Sequence, residues 1–246
     1  MVDWRKLRTA LADRLGLEIR HSQERYAELL VELVRDGDRW LDIGCGRQIV
    51  PPWAAPAERQ AAQVKRARML VGMDVDGAIK EHPLLSHKVF GWADPMPFRE
   101  DVFDLVTANM VVEHIERPKE ILREIRRVLA PGGRFVLHTP NRRYYAIALA
   151  RMAPRAVKAK LIWLLERRKE QDVFKTYYRI NTPGDVRRLA RESGFEVRTL
   201  VLGGSVGACL RLGPLGVLEV PVMKLLTLGR LKSLDATIIA VLVKSA

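Results

Sequence analysis

Asp42 and Asp74 each stand at the end of a short apolar run, in Trp40-Leu41-Asp42-Ile43-Gly44-Cys45-Gly46 and in Met69-Leu70-Val71-Gly72-Met73-Asp74. A carboxylate fixed at a strand end can accept two hydrogen bonds from a ligand. Glycines beside it, lacking Cβ, let backbone N–H groups approach the same molecule. That is the chemistry of a pocket for a nucleotide-type compound. His114 adds a group whose ordinary pKa suits proton transfer near neutrality. Thr176-Tyr177-Tyr178-Arg179-Ile180-Asn181 adds a polar aromatic cluster able to face a second molecule. Cys45 and Cys209 have no metal-ligand spacing, so no metal is expected, and they do not read as a disulfide framework.

These groups need a scaffold that delivers them to one edge. Tyr26, Leu29, Leu30, Leu33 and Val34 recur at helical spacing between about His21 and Arg35, so a helix precedes the first strand, Arg39–Ile43. Pro51, Pro52 and Pro56 delay the next helix, which is expected from Ala57 to Arg68. A strand ending at Asp74 follows, then strands at Lys88–Gly91 and Phe103–Asn109. Pro118 opens an amphipathic helix with Ile121, Leu122, Ile125, Val128 and Leu129 on one face. Pro131-Gly132-Gly133 reads as a turn into a strand at Arg134–Thr139. Thr182-Pro183-Gly184-Asp185 reads as a capped helix start. The final strands are expected at Phe195–Leu202 and Ala236–Val243. Alternation of strand and helix gives an open parallel sheet with the acids at carboxyl ends of strands.

The length suits one domain of 1–246, divided into an N-terminal helical cap (1–38), a core (39–141), a basic helical lid (142–181) and a C-terminal helix with the last strands (182–246). Lys and Arg number 42 against 29 acids, a net charge of +13, which favours acidic partners or anionic surfaces. Nine bases against two acids fall between Arg142 and Glu170. Val157, Leu161, Leu164 and Leu165 recur there at helical spacing, the pattern of a basic amphipathic helix. It reads as a solvated lid packed on the domain, or as a contact with anionic membrane or an acidic, lipid-like substrate. The charged N-terminus lacks the apolar core of a signal peptide, and Leu200–Met223 is too interrupted to span a bilayer. A cytoplasmic chain with, at most, peripheral membrane contact is expected. Leu212–Leu231 fits a lid, a dimer contact or core equally well; oligomeric state is not legible.

Leu41-Asp42-Ile43-Gly44-Cys45-Gly46, Gly72-Met73-Asp74, Met96-Pro97-Phe98, Phe103-Asp104-Leu105-Val106, Glu113-His114-Ile115 and Arg127-Val128-Leu129-Ala130-Pro131-Gly132-Gly133 occur in that order. Together they resemble class I S-adenosylmethionine-dependent methyltransferases of the group that includes ubiquinone-biosynthesis enzymes. The resemblance implies a doubly wound, Rossmann-like α/β fold: seven strands, mostly parallel with the last antiparallel, and helices on both faces. It implies S-adenosylmethionine as cofactor and S-adenosylhomocysteine as product. By position it assigns Asp42, Gly44, Cys45 and Gly46 to the methionine part and Asp74 with Val75 to the ribose. Trp92, Ala93 and Asp94 would flank adenine, and Asn109 and Met110 would sit beside the sulfonium. His114 becomes a candidate base, and Tyr26, Asn141, Tyr177, Tyr178 and Arg179 become substrate-side candidates. Many relatives carry an acid where this chain has Trp92, so Asp94 would take over the adenine contact or Trp92 would pack on the ring.

The expected activity is methyl transfer to a small molecule, by O-methylation of a lipid-like or amphiphilic acceptor. RNA methylation, or a cofactor-binding protein acting through its basic surface without catalysis, are the alternatives. Against nucleic acid, Asn109-Met110-Val111-Val112 replaces the proline-rich aromatic motif of base N-methyltransferases. A dinucleotide oxidoreductase would need its third glycine at Ile49.

Overall fold

The computed structural model describes residues 3–91, 94–152, 174–203, 207, 209 and 213–245. The strands are β1 (Arg39–Ile43), β2 (Met69–Asp74), β3 (His87–Phe90), β4 (Phe103–Asn109), β5 (Leu129–Pro140), β6 (Phe195–Leu202) and β7 (Thr237–Lys244). The α-helices among the described residues are α1 (Trp4–Arg14), α2 (Ser22–Leu33), α3 (Ala57–Arg66), α4 (Pro118–Val128), α5 (Tyr145–Met152), α6 (Pro183–Glu192) and α7 (Pro214–Leu226).

The strands form a seven-stranded sheet in the order β3-β2-β1-β4-β5-β7-β6, mostly parallel, with β7 antiparallel between β5 and β6. The order reverses between β1 and β4. Loops leaving the carboxyl ends of those two strands turn to opposite sides there and open a crevice. Sheet-covering helices explain why the central strands read as apolar runs rather than alternations: Trp40, Leu41, Leu70, Leu105, Val106, Phe135, Val136 and Leu137 are buried.

Two compact units can be described. The first comprises residues 23–140, 176–201 and 238–246 and holds nearly all of the sheet. Its helices follow their sequence signals. Pro118 opens α4, which buries Ile121, Leu122, Ile125 and Val128. Thr182 caps α6, its hydroxyl accepting from the Asp185 N–H at 3.0 Å. Pro56 stands just before α3, and Gln60 on that helix holds the preceding loop by donating to Ala55 O (2.8 Å) and Val50 O (3.1 Å). Two ion pairs brace the amino ends of the strands. Arg39 binds Asp104 through two nitrogens at 2.8 and 2.9 Å, and Arg134 meets Asp38 at 2.6 Å with both side chains buried.

The second unit comprises residues 1–22, 141–175 and 202–237 and is helical. Asp3 caps α1 by accepting from the N–H groups of Arg5 and Lys6 at 3.2 Å. Ala12, Leu17, Val220 and Met223 cluster where α1 meets α7. Glu219, buried on α7, accepts from Cys209 N–H at 2.9 Å and from the Tyr145 hydroxyl.

Some boundaries differ from the sequence reading. β5 begins at Leu129 rather than Arg134: Pro131-Gly132-Gly133 forms an irregularity inside the strand, where pairing jumps from Phe103↔Leu129 to Leu105↔Arg134. Gly132, at φ +73°, allows this. β3 starts one residue earlier than expected and β7 one later. α3 stops at Arg66 because Ala67 turns extended. The expected basic helix falls largely on residues 153–173, outside the described residues.

Candidate functional site

Asp42 lies near the tip of β1 and is 2 % exposed. Thr107 on neighbouring β4 donates to its carboxylate at 2.5 Å, and Trp40 Nε1 donates to the same hydroxyl at 2.8 Å. Burial pushes the Asp42 carboxyl up to about 7; the Thr107 bond opposes the shift and the charge of Asp74 adds to it. The acid at this tip is therefore poised to change charge near neutrality.

The loop after β1 depends on its glycines. Gly44 (φ +64°) donates its N–H to Met73 O at 2.7 Å, and a Cβ there would meet Val111 Cγ2 at 2.3 Å. Gly46 (φ +49°) donates to Asp74 Oδ2 at 2.8 Å, and a Cβ there would meet nothing within 4 Å. Gly44 is thus needed for packing, while Gly46 presents backbone toward open space. Asp74 also accepts from the Asp76 N–H at 2.8 Å, and Asp76 in turn caps the 3₁₀ turn Gly77–Glu81. Val75 links these two acids. Cys45 is buried, its Sγ near Gly72, where a Cβ would approach it to 2.7 Å. Burial pushes the thiol pKa up, so Cys45 serves as an apolar filler.

Asn109 closes β4 and Met110 follows at φ +57°. Asn109 exchanges hydrogen bonds with Gln23 on α2 at 2.9 and 3.1 Å, donates to Ile49 O at 3.1 Å and lies 2.9 Å from His138 Nδ1 on β5. Met110 N–H donates to His138 O at 2.8 Å. Gln23 and His138 were not among the expected site residues. Gln23 occupies the buried side of α2 with Tyr26, Ala27 and Leu30, and a polar residue on an apolar stripe is the signal that could have found it. Tyr26 itself is fully buried, its ring stacked on His138 at 5.2 Å. Burial raises its hydroxyl pKa, with Asp42 adding to the shift.

The loop leaving β4 ends in the 3₁₀ turn Val112–His114. His114 is half-buried there. Glu113 is buried, accepts from the Thr139 hydroxyl at 2.9 Å, and has its carboxyl pKa raised by burial. Its backbone carbonyl accepts from the N–H groups of Tyr177 (2.8 Å) and Tyr178 (3.2 Å). Asn181 donates to Thr139 Oγ1 at 2.6 Å and to Pro140 O at 2.9 Å. The returning segment is thereby fastened across the carboxyl ends of β4 and β5. Tyr177 and Tyr178 are half-buried, the latter at φ +52°, and Arg179 is exposed.

Asp94 lies 3.6 Å from Arg117 in a partly exposed pair; Trp92 and Ala93 are outside the described residues. Asn141 belongs to the helical unit. Its side chain donates to Ser233 O at 2.9 Å and Asp235 O at 2.8 Å, which commits the amide to backbone.

Residues 19–200 match a family model described as a methyltransferase domain. Demethylmenaquinone methyltransferase of Mycobacterium tuberculosis H37Ra is 32% identical over 130 residues, covering 50% of this chain and 53% of that protein. The ubiquinone biosynthesis O-methyltransferase of Xanthomonas oryzae pv. oryzae PXO99A is 32% identical over 114 residues, covering 46% and 48%. The chain thus spans about half the length of these curated relatives. An S-adenosylmethionine-dependent methyltransferase structure from Mesorhizobium loti has a TM-score of 0.56 at 19% identity, covering 89% of this chain and 96% of that one. One from Methanosarcina mazei has 0.55 at 15%, covering 88% and 97%. With the family model matching residues 19–200, well over half of its length, the chain belongs to the methyltransferase-domain family.

Proposed function

We propose that the chain binds S-adenosylmethionine across the tips of β1, β2 and β4 and transfers its methyl group to a small-molecule acceptor, by O-methylation of a lipid-like or amphiphilic compound. The observation that carries this reading is the hydrogen bond from Gly46 to Asp74, which sets a glycine loop facing open space beside a partly exposed carboxylate. On this reading Asp42, Gly44, Cys45 and Gly46 form the methionine side. Asp74 and Val75 hold the ribose, and Asn109 and Met110 flank the sulfonium. Trp92, Ala93 and Asp94 take the adenine, with Asp94 shared between the ring and Arg117.

When bound, the cofactor supplies an electrophilic methyl group open to direct displacement. The chain's task is then to align the acceptor, exclude water and take up a proton. His114, on the loop leaving β4, is the proposed base for a hydroxyl proton. Tyr177, Tyr178 and Arg179, fastened over that loop through Glu113 O and Asn181, are the proposed acceptor-side residues. Tyr26, buried on α2, and Asn141, whose amide donates to backbone carbonyls, complete the proposed acceptor-side residues.

The relatives' names, one for demethylmenaquinone and one for O-methylation in ubiquinone biosynthesis, support a hydroxylated, quinone-like acceptor. Contact of segment 142–170 with anionic membrane belongs to the same reading, since such an acceptor resides in lipid. No described helix is long and apolar enough to cross a membrane.

Calorimetric titration with S-adenosylmethionine tests the site, comparing wild type with Asp74→Ala and Trp92→Ala. Turnover of hydroxylated quinone precursors tests the acceptor class. Absence of cofactor binding by the folded protein would remove the reading. Cofactor binding with methyl incorporation only into RNA would favour the alternative suggested by the net charge of +13.

A further inference from the structure

Of the eleven large hydrophobic side chains exposed among the described residues, nine lie in the helical unit; the other two are Trp53 and Phe90. Helix α7 concentrates them. Its inner side buries Val220 and Met223 against α1, while Leu218 (70 % exposed), Val222 (44 %) and Leu225 (52 %) form the opposite side. Leu228 and Leu231, also exposed, continue this apolar surface in sequence beyond the helix. Apart from buried Glu219 and half-buried Lys224, α7 has no charged residue, and a helix apolar all round belongs in an apolar medium on every side. At 13 residues it spans about 20 Å, short of the roughly 30 Å of a bilayer core, so it can lie on a membrane but cannot cross one.

Charge identifies the occupant. The residues of the helical unit include 19 Lys and Arg against 8 Asp and Glu, a net +11 of the chain's +13, of which segment 142–170 contributes +7 and the rest of the unit +4, whereas the sheet-bearing unit carries 23 against 21. Arg5, Lys6 and Lys232 are exposed within this unit. A second copy of the chain would bring +11 against +11. An anionic lipid surface supplies both the apolar medium and the opposite charge. We propose that the outer side of α7, continued through Leu228 and Leu231, docks in the headgroup layer of an anionic bilayer. The proposed contact lies on α7 itself, and its docking does not depend on cofactor binding.

The test is co-sedimentation of the full chain with phosphatidylcholine vesicles, with and without phosphatidylglycerol. The wild type is expected to bind the anionic vesicles at least tenfold more tightly, less so as salt is raised. Leu218→Ser with Leu225→Ser should lose at least tenfold in binding with an unchanged melting temperature, while Arg155→Gln with Lys158→Gln and Lys160→Gln should retain the apolar contact. Leu218→Trp, which keeps the face apolar, should be quenched by brominated lipid. Wild type that ignores vesicles, a serine pair that binds like wild type, or an unquenched Trp would overturn the proposal. So would a dimer in sedimentation velocity that the serine pair dissolves.

Discussion

Gly46 gives its backbone N–H to the Asp74 carboxylate at 2.8 Å, so the loop after β1 is latched to the tip of β2. Asp74→Ala removes the latch and, on the proposed reading, the ribose acceptor. The expected outcome is a 10- to 100-fold loss of S-adenosylmethionine affinity, about 1.5–3 kcal/mol for hydrogen bonds to a charged group. Calorimetry measures it; an unchanged affinity would remove Asp74 from the site.

Gly44 and Gly46 should respond differently to alanine. Gly44→Ala drives a methyl into Val111 at a left-handed backbone position and should cost about 2–3 kcal/mol of stability. Val111→Ala in the same chain should recover part of that cost in denaturant melts. Gly46→Ala meets no neighbour, so its stability cost should be only about 1 kcal/mol, from the positive φ alone. Its effect should appear instead in cofactor affinity.

Burial sets the Asp42 carboxyl at about 7, above its unfolded value. Between the ordinary carboxylate range and that pH the folded chain holds a proton that the unfolded chain has released. Stability from this group therefore falls as pH rises through the window and levels off above it, by at most about 4 kcal/mol. Denaturant midpoints from pH 4.5 to 8 should show this decline, and Asp42→Asn should flatten it. Asp104 and Glu124 act in the opposite sense. Arg39 and Arg127 hold their carboxyls below the usual range, and that contribution disappears as acid protonates them.

Glu113 joins the exit of β4 to the segment that returns at Tyr177. Glu113→Ala leaves Thr139 without its acceptor and should raise amide exchange across residues 176–181 at least tenfold. Glu113→Gln keeps a carbonyl acceptor and should remain close to wild type. Equal exchange in both variants would mean that the backbone bonds alone hold the segment.

Arg134 and Asp38 meet at 2.6 Å inside the protein. Arg134→Met should destabilise by about 3–5 kcal/mol, because it leaves a buried carboxylate without its counter-charge. Adding Asp38→Asn should restore most of that loss in urea melts, since the amide oxygen can still accept from the Arg35 N–H, now 2.8 Å from Asp38.

The strand tips were legible because apolar runs that end in acids and glycines carry a local signal. Phe103–Asn109 and Phe195–Leu202 fall where the residues place them. Contacts made at a distance in sequence were not legible. The pattern of α2 marks Gln23 as a polar residue on an apolar stripe, but nothing in it names Asn109, 86 positions away, as the partner. Pro131-Gly132-Gly133 carries ordinary turn punctuation, so an irregularity that lets β5 continue through it gave no separate sign. α7 resisted assignment to core or lid because both of its sides are apolar and Pro221 interrupts its pattern.

The place of β7 has a consequence for how the chain matures. Thr237–Lys244 is synthesised after every other strand, yet it fits between β5 and β6. Until it arrives, both neighbours keep an open edge able to pair with a foreign strand. A nascent chain should therefore depend on chaperones until this seventh strand of the sheet clears the exit tunnel. A truncation before Thr237 should aggregate rather than fold short.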